Sequence, residues 1–433
     1  MPIHLASEEL LEPAGLRDLQ VRRFQDLLAR ILPANRFWQA RAPKNAKCRL
    51  PEFPLLTRAD LLADQAAHPP YGTNLTFPLQ DYCRLHQTSG TASGVPLRCL
   101  DRTEDWVWWQ RNWKIIYRAA GIDANDRLFF PFSFGPFVGF WAAFETAVAM
   151  GNLAIPAGGM TTTARLRLLL DNRATIICCT PTYALHLAES AVAEALDLAG
   201  SPVRALIVAG EPGGSIPSIR GRIESAFGAR VFDHAGMTEV GPYGFECVES
   251  PGAIHINETD FIPEVIEPQT GRMLYSIDDP PLSAGEVEGE LVLTNLGRPG
   301  APVIRYRTGD RVRLKGGKCK CGRWMGRLEG GVLGRSDEML IVRGNNVYPT
   351  AVEAILREFS EIVEFRITLG EQHGLTDLRL ELEPAAGAAI NQLADRVKNA
   401  IRDRLNFRPD VVLVPHGTLP RFEMKASRIR RST

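Results

Sequence analysis

The sequence predicts an α/β fold: a large N-terminal domain with parallel-rich sheets flanked by helices plus a β-rich subdomain, and a small C-terminal α+β domain. Three observations predict it. Between residues 128 and 232, short apolar runs alternate with amphipathic helical segments, the rhythm of parallel strands covered on both faces. Past residue 260 the pattern turns to short, turn-separated β segments. The last hundred residues mix strands and helices again, beyond a boundary near Gly334-Arg335-Ser336-Asp337 that divides the chain into 1–334 and 335–433.

The elements follow in order. Residues 17–41 carry Leu19, Phe24, Leu27, Leu28 and Ile31 at helical spacing, and 103–120 is a second helix rich in aromatics at Trp106, Trp109, Trp113 and Tyr117. Strands are expected at 128–130, 152–155, 175–179, 203–209 and 229–232, with helices at 137–150, 163–171, 182–198 and 215–227 between them. In such sheets ligands sit beyond the carboxyl ends of the strands, which makes 131–136, 209–214 and 233–239 candidate loops. Later strands are expected at 288–293, 310–314, 339–342, 362–369 and 378–382, with helices at 349–359 and 390–405.

Composition excludes some roles. The 433 residues are 45% hydrophobic and 23% charged, ordinary for a globular chain. Fifty basic and fifty acidic side chains cancel, so nothing supports a nucleic-acid partner. Residues 1–20 hold Glu8, Glu9, Glu12 and Asp18 without a sustained apolar run, and no stretch could span a bilayer. A cytoplasmic protein with no membrane partner is expected, and eight scattered cysteines fit a reducing compartment.

Thr88-Ser89-Gly90-Thr91-Ala92-Ser93-Gly94 is a run of small residues whose amides and hydroxyls can wrap a polyphosphate. It lacks the G-x-x-x-x-G-K-[ST] spacing of a P-loop, and alone it reads equally as a surface loop. Gly210-Glu211-Pro212-Gly213-Gly214 follows a strand, where small residues let a ligand approach the backbone. Asp233-His234-Ala235-Gly236-Met237-Thr238-Glu239 ends in a hydroxyl beside a carboxylate, hard oxygens suited to Mg²⁺-triphosphate. Tyr306-Arg307-Thr308-Gly309-Asp310 offers a carboxylate for a ribose diol. Each piece also reads as an ordinary turn or cap; together and in this order they are specific.

Thr88–Pro96, Gly236–Glu239, Tyr306–Asp310, the string 334–338 and a lysine near the C-terminus resemble the signature set of adenylate-forming enzymes. The 233–239 string and Cys319-Lys320-Cys321-Gly322-Arg323 are similar to the phenylacetate–CoA ligase branch, over roughly residues 50–431. The resemblance implies a mobile small domain and two half-reactions. A carboxylate and ATP give acyl-AMP and pyrophosphate, then a thiol yields thioester and AMP. It implies that Ser89, Gly90 and Thr91, with Thr88 and Gly94, hold the β- and γ-phosphates, and that Glu239 holds Mg²⁺ beside Thr238. Glu211 and Pro212 would line the adenine with Asp233 close by; Asp310 would take the ribose hydroxyls, assisted by Arg335. Lys425 would reach the carboxylate and α-phosphate during adenylation, where a cation offsets the repulsion between two anions. Asp337 would be the hinge and Gly344 the position that admits the thiol. One departure is Val95, where the family loop carries lysine: either ATP is bound more weakly or another residue substitutes, with Arg98 nearby.

Cys319 and Cys321 with Cys247 and His255 form a four-ligand set for a structural Zn²⁺, a closed site of thiolates and imidazole. The loop 131–137 supplies Phe132, Phe134, Gly135 and Phe137 to face Ala235, Gly236 and Met237, with His234 as a polar contact for a ring substituent. Aromatic walls favour a flat ring. The expected substrates are therefore ATP, CoA and a small aromatic acid of phenylacetate, benzoate or anthranilate type. Alternatives are a carrier-protein phosphopantetheine as thiol acceptor and, in another class, an inactive ligand-binding scaffold. A homodimer is one assembly left open, since the sequence does not fix the oligomeric state.

Overall fold

The computed structural model describes residues 6–44, 48–88, 95–280, 282, 285–336, 340–342, 345–372, 375–388, 390–422 and 428–431. Among these, twelve strands form one sheet. Its order is 273–275, 261–266, 286–295, 306–315, 327–335, 253–256, 241–246, 230–237, 205–209, 176–179, 127–130 and 153–156. From Arg230–Met237 to the Leu153–Pro156 edge every pairing is parallel; Arg230–Met237 pairs antiparallel with Gly241–Glu246, and antiparallel ladders continue to the other edge.

The parallel half shows why these residues form these strands. Leu128 and Phe130 point into one core, with the helices Pro13–Ile31, Thr103–Ala119 and Trp141–Ala149, while Phe129 points into the other. Ile176 and Cys178 alternate with Ile177 and Cys179 in the same way. The second core is completed by the helices Thr162–Asp171, Pro181–Ala193 and Pro217–Phe227. Strands buried on both faces read as continuous apolar runs, as these do.

Three expectations need correction. The helical pattern of 17–41 is two helices, Pro13–Ile31 and Arg36–Arg41; Pro33 interrupts it and Asn35 restarts it by accepting a hydrogen bond from the Trp38 amide. The segment 233–239 is not wholly a loop, because the strand runs to Met237, where its antiparallel partner extends it; only Thr238–Val240 turn. The later strands are long: Glu286–Asn295 and Tyr306–Lys315 each span ten residues, held by cross-strand pairing that no local pattern reveals.

A third core is drawn wholly from residue 342 onward. It lies between a sheet ordered Asp410–Leu413, Leu375–Pro384, Ile362–Gln372, Ile429–Arg431 and the helices Pro349–Leu356 and Leu393–Leu405. The expected division at 334–335 falls at the end of the strand Arg327–Arg335 of the large sheet. Across to the large sheet's helices, Arg421 donates to Glu189 at 2.8 and 3.1 Å, Arg428 to Thr182 Oγ1 at 3.3 Å, and Ser218 to the Ala354 carbonyl at 2.9 Å. No helix among the described residues is long and apolar enough to cross a membrane.

Candidate active site

The candidate residues gather beyond the carboxyl ends of the parallel strands, where the sheet changes from parallel to antiparallel. The turn Thr238–Val240 carries Glu239, which is 6% exposed; burial raises its carboxyl above the ordinary carboxylate range. The Tyr306 hydroxyl donates to Glu239 Oε1 at 3.3 Å, and Arg58 Nε lies 3.9 Å from the same oxygen.

Arg58 reaches this point through the segment before it. Leu56 pairs with the strand Tyr306–Lys315: its amide donates to the Arg305 carbonyl and its carbonyl accepts from the Arg307 amide. Thr57 then caps the helix Arg58–Ala67 in a box with Asp60. From the first turn, the Arg58 guanidinium donates to Thr88 Oγ1 at 3.1 Å and the Val95 carbonyl at 2.8 Å, the residue that opens the small-residue run and the one that follows it. Arg98 does not take this place. Its guanidinium turns to the Pro70 carbonyl at 3.3 Å, while its backbone pairs with the Gln65 side chain.

Across the cleft, strand register sets Asp310 opposite Arg335, and the two side chains meet at 3.3 Å. The Tyr243 hydroxyl donates to the other Asp310 oxygen at 3.3 Å, and the Asp310 amide donates to Thr308. Gly309 stands at φ +75°, and a Cβ there would lie 2.7 Å from Arg335 Nη2. Asp233, buried, accepts from Ser215 at 2.7 Å, and burial lifts its carboxyl to about 6. A Cβ on Gly214 would lie 2.6 Å from the Asp233 carboxyl carbon, so this glycine permits the close approach. Glu211 turns its carboxylate to the Thr182 amide at 2.8 Å, at the start of the helix Pro181–Ala193; Pro212 beside it is half-buried.

On the opposite flank, Phe132 packs edge-on to Phe134 at 5.4 Å and to Phe140 at 5.8 Å, and Phe134 meets Trp141 at 4.7 Å. Gly135 accepts from the Trp141 indole, Phe137 is half-buried, and the Pro136 carbonyl accepts from the Gln87 amide, tying this aromatic loop to the residue before Thr88. His234 is buried, its Nδ1 bonded to the Gly244 carbonyl at 2.6 Å and its ring 4.5 Å from Trp113. Burial lowers its pKa to about 4, so the neutral ring donates from Nδ1 and presents Nε2 as an acceptor beside Gly236. Ala235 is buried in the core and Met237 packs partly against it.

A separate cluster joins Cys247, His255, Cys319 and Cys321, whose ligand atoms all lie within 4.8 Å of one another. Cys247 Sγ is 3.8 Å from Cys319 Sγ and 3.5 Å from His255 Nε2, and Cys321 Sγ is 3.6 Å from that nitrogen. Tetrahedral bonds to Zn²⁺ imply edges of about 3.8 Å between sulfurs and about 3.5 Å from sulfur to nitrogen, so this donor set fits the ion. His255 Nδ1 faces the Met325 carbonyl at 3.3 Å, which turns Nε2 toward the sulfurs.

Ser89, Gly90, Thr91, Gly94, Asp337, Gly344 and Lys425 lie outside the described residues. Sequence reasoning overlooked Arg58, Tyr243 and Ser215, and it quoted Tyr306 without a role. Only Tyr306 carried a local signal, as the first residue of the Asp310 string; the others are recruited by long-range pairing.

The fold and this arrangement define an adenylate-forming enzyme. Residues 344–431 match the model of the AMP-binding enzyme C-terminal domain. The chain is 31% identical to the phenylacetate–coenzyme A ligase of Escherichia coli, over 88% of this chain and 84% of that one. It is 30% identical to the enzyme of the same name from Thermus thermophilus, over 96% of each. The chain belongs to the phenylacetate–coenzyme A ligase family, AMP-forming acid–thiol ligases whose substrates are ATP, CoA and an acid. A solved structure of 2-hydroxyisobutyryl-CoA ligase in its postadenylation state, 25% identical, matches with a TM-score of 0.89 over 100% of this chain and 94% of that one. The same enzyme in its thioesterification state matches at 0.71, over 98% and 91%.

Proposed function

We propose that this protein is an ATP-dependent aryl-carboxylate–CoA ligase whose Arg58, Thr88 and Glu239 attend the triphosphate while Asp310 and Arg335 attend the ribose. The observation that carries this reading is that Arg58 lies beside both Thr88 and Glu239 while Asp310 pairs with Arg335, whose charge also acts on Glu239, from segments 277 residues apart in sequence at the extremes. The acid's carboxylate oxygen attacks the α-phosphorus, the bond to pyrophosphate breaks, and the acyl-AMP then loses AMP as a thiol sulfur bonds the acyl carbon.

In the first step two anions must meet. Arg58 supplies the cation that Val95 leaves out of the loop, and Lys425 is proposed to reach the α-phosphate and carboxylate from the small domain. Glu239, with Thr238, would hold the Mg²⁺ that neutralises phosphate charge. Ser89, Gly90, Thr91 and Gly94 would cradle the phosphates, and Glu211, Pro212 and Asp233 the adenine side. The four-ligand cluster would hold a structural Zn²⁺ that clamps strands, with no part in the chemistry. We assign residues 1–334 and 335–433 to separate domains that turn about Asp337, with Gly344 beside the thiol's path, and place the protein in the cytoplasm.

The acid is proposed to lie between the aromatic loop and the Ala235–Met237 segment. Phe132 and Phe134 favour an aromatic ring, and the acceptor at His234 Nε2 favours one bearing a hydroxyl or amino group. Pyrophosphate release measured over phenylacetate, benzoate, anthranilate, hydroxybenzoates, 2-hydroxyisobutyrate and long aliphatic acids tests this. An aryl acid is expected to give the highest kcat/KM; preference for an aliphatic acid would overturn it. Thioester yield with CoA is expected to exceed that with a phosphopantetheinylated carrier protein. Lys425→Ala is expected to lose acyl-AMP formation by about a hundredfold or more while largely retaining thioester formation from supplied acyl-AMP.

A further inference from the structure

We propose that Arg298, anchored by Asp101, is a positioning residue that sets where the Glu239 carboxylate stands. The inference rests on the reading of Glu239 as the metal-holding carboxylate. Arg298 comes from the connection between the strands Glu286–Asn295 and Tyr306–Lys315, and both it and Asp101 are fully buried. The pair is bidentate: Nε donates to one Asp101 oxygen at 2.6 Å and Nη2 to the other at 2.9 Å. The remaining nitrogen, Nη1, donates to two consecutive carbonyls of the turn, Thr238 at 2.8 Å and Glu239 at 3.0 Å. Asn295 continues the series by donating to the Val240 carbonyl at 3.1 Å, while its own Oδ1 accepts from the Val303 amide. The last residue of the strand Glu286–Asn295 and Arg298 in the connection after it thus grip all three residues of the turn by their backbone.

The carboxylate end of Glu239 is held quite differently. Among the described residues its side-chain partners are a 3.3 Å hydrogen bond from Tyr306 and an ion pair with Arg58 at 3.9 Å, both near the limit of such interactions, beside its own backbone amide and the more distant Arg335 charge. A carboxylate that must accept an incoming cation cannot be saturated by donors, so its place is set from behind, through the main chain. Arg298 suits this task because Asp101 neutralises it. A guanidinium so paired holds the turn without competing for Glu239.

The test uses the full-length protein with ATP and Mn²⁺ as the probe, reading bound Mn²⁺ by electron paramagnetic resonance. Arg298→Lys and Asp101→Asn are each expected to weaken Mn²⁺ binding to the enzyme–ATP complex by about tenfold, and to slow acyl-AMP formation about tenfold more than thioester formation from supplied acyl-AMP. Asp101→Asn, which keeps the side-chain shape, decides the matter where Arg298→Lys does not fold. If the folded variants bind Mn²⁺ as the parent does, the inference is overturned. Glu239→Gln measured alongside separates the two claims. Parental Mn²⁺ binding by that variant refutes the metal reading of Glu239 itself, whereas a defect there beside parental binding in the other two refutes only the role of Arg298.

Discussion

Asp233 and His234 are neighbours in one strand, and burial acts on them with opposite sign. His234 titrates at about 4 when folded against an ordinary 6.5, so the unfolded chain binds its proton first. Its contribution to stability is complete above 6.5 and is lost as pH falls through 4, a swing of roughly 3 kcal/mol. Asp233 titrates at about 6 against 3.8; its contribution is complete below 3.8 and is lost as pH rises through 6. Urea unfolding between pH 4 and 6.5 should therefore show His234→Phe losing the component that rises with pH, and Asp233→Asn losing the one that falls. Equal slopes in parent and variants would show that neither group is perturbed. Arg58 makes a second prediction at this scale. Arg58→Gln should lower kcat/KM for ATP by about tenfold or more, and Val95→Lys in that background should recover part of the loss, by restoring a cation beside the triphosphate. No recovery, with ATP still bound, would mean that the two positions are not equivalent.

Among the elements, the four-ligand cluster shows what a short motif can do between strands. Cys247 follows the strand Gly241–Glu246, His255 lies on the paired strand Ala253–Ile256, and Cys319 and Cys321 come from the turn before Arg327–Arg335. Arg323, in the same turn, is buried and donates from both Nε and Nη2 to one Glu9 oxygen, which anchors the N-terminal segment there. Protein purified without chelator should carry about one equivalent of zinc. Its removal, or Cys319→Ser, should lower Tm by about 5 °C or more, with a smaller effect on kcat than on stability. Less than about a tenth of an equivalent in fresh protein would remove the zinc reading. The cysteine spacing was legible because thiols are scarce in this chain. The strand through Met237 was not, since Gly236, Met237 and Thr238 show no alternating pattern and it is Gly241–Glu246 that completes the pairing.

At the scale of the whole molecule, polar contacts join the small domain to the helices of the large sheet. Arg421 divides its guanidinium between Glu189 across the boundary and Glu383 on the strand Leu375–Pro384 of the small sheet. Burial works against the Glu189 charge, yet the His186 ring 3.9 Å away and the hydrogen bonds from Arg421 hold its carboxyl at about 2. Pairs of this partly exposed kind contribute up to about 1 kcal/mol, enough to bias domain orientations without locking them. Glu189→Gln should broaden the small-angle scattering profile and slow adenylation by about fivefold relative to thioester formation. Scattering and rates identical to the parent would show the pair to be silent.

The amino-acid order by itself determined the alternation of strands and helices through residues 128–232, the positions of the carboxylates Glu239 and Asp310, and the set of zinc-fitting side chains. These are local patterns, carried by side-chain period and by residues few enough to be noticed. Tertiary structure alone decided that Arg58 rather than Arg98 stands by the loop, that Asp310 faces Arg335, and that a buried Arg298 grips the turn bearing Glu239. Each of those depends on strand register and on helices arriving from distant segments, and a contact between remote residues leaves no mark on the neighbours of either one.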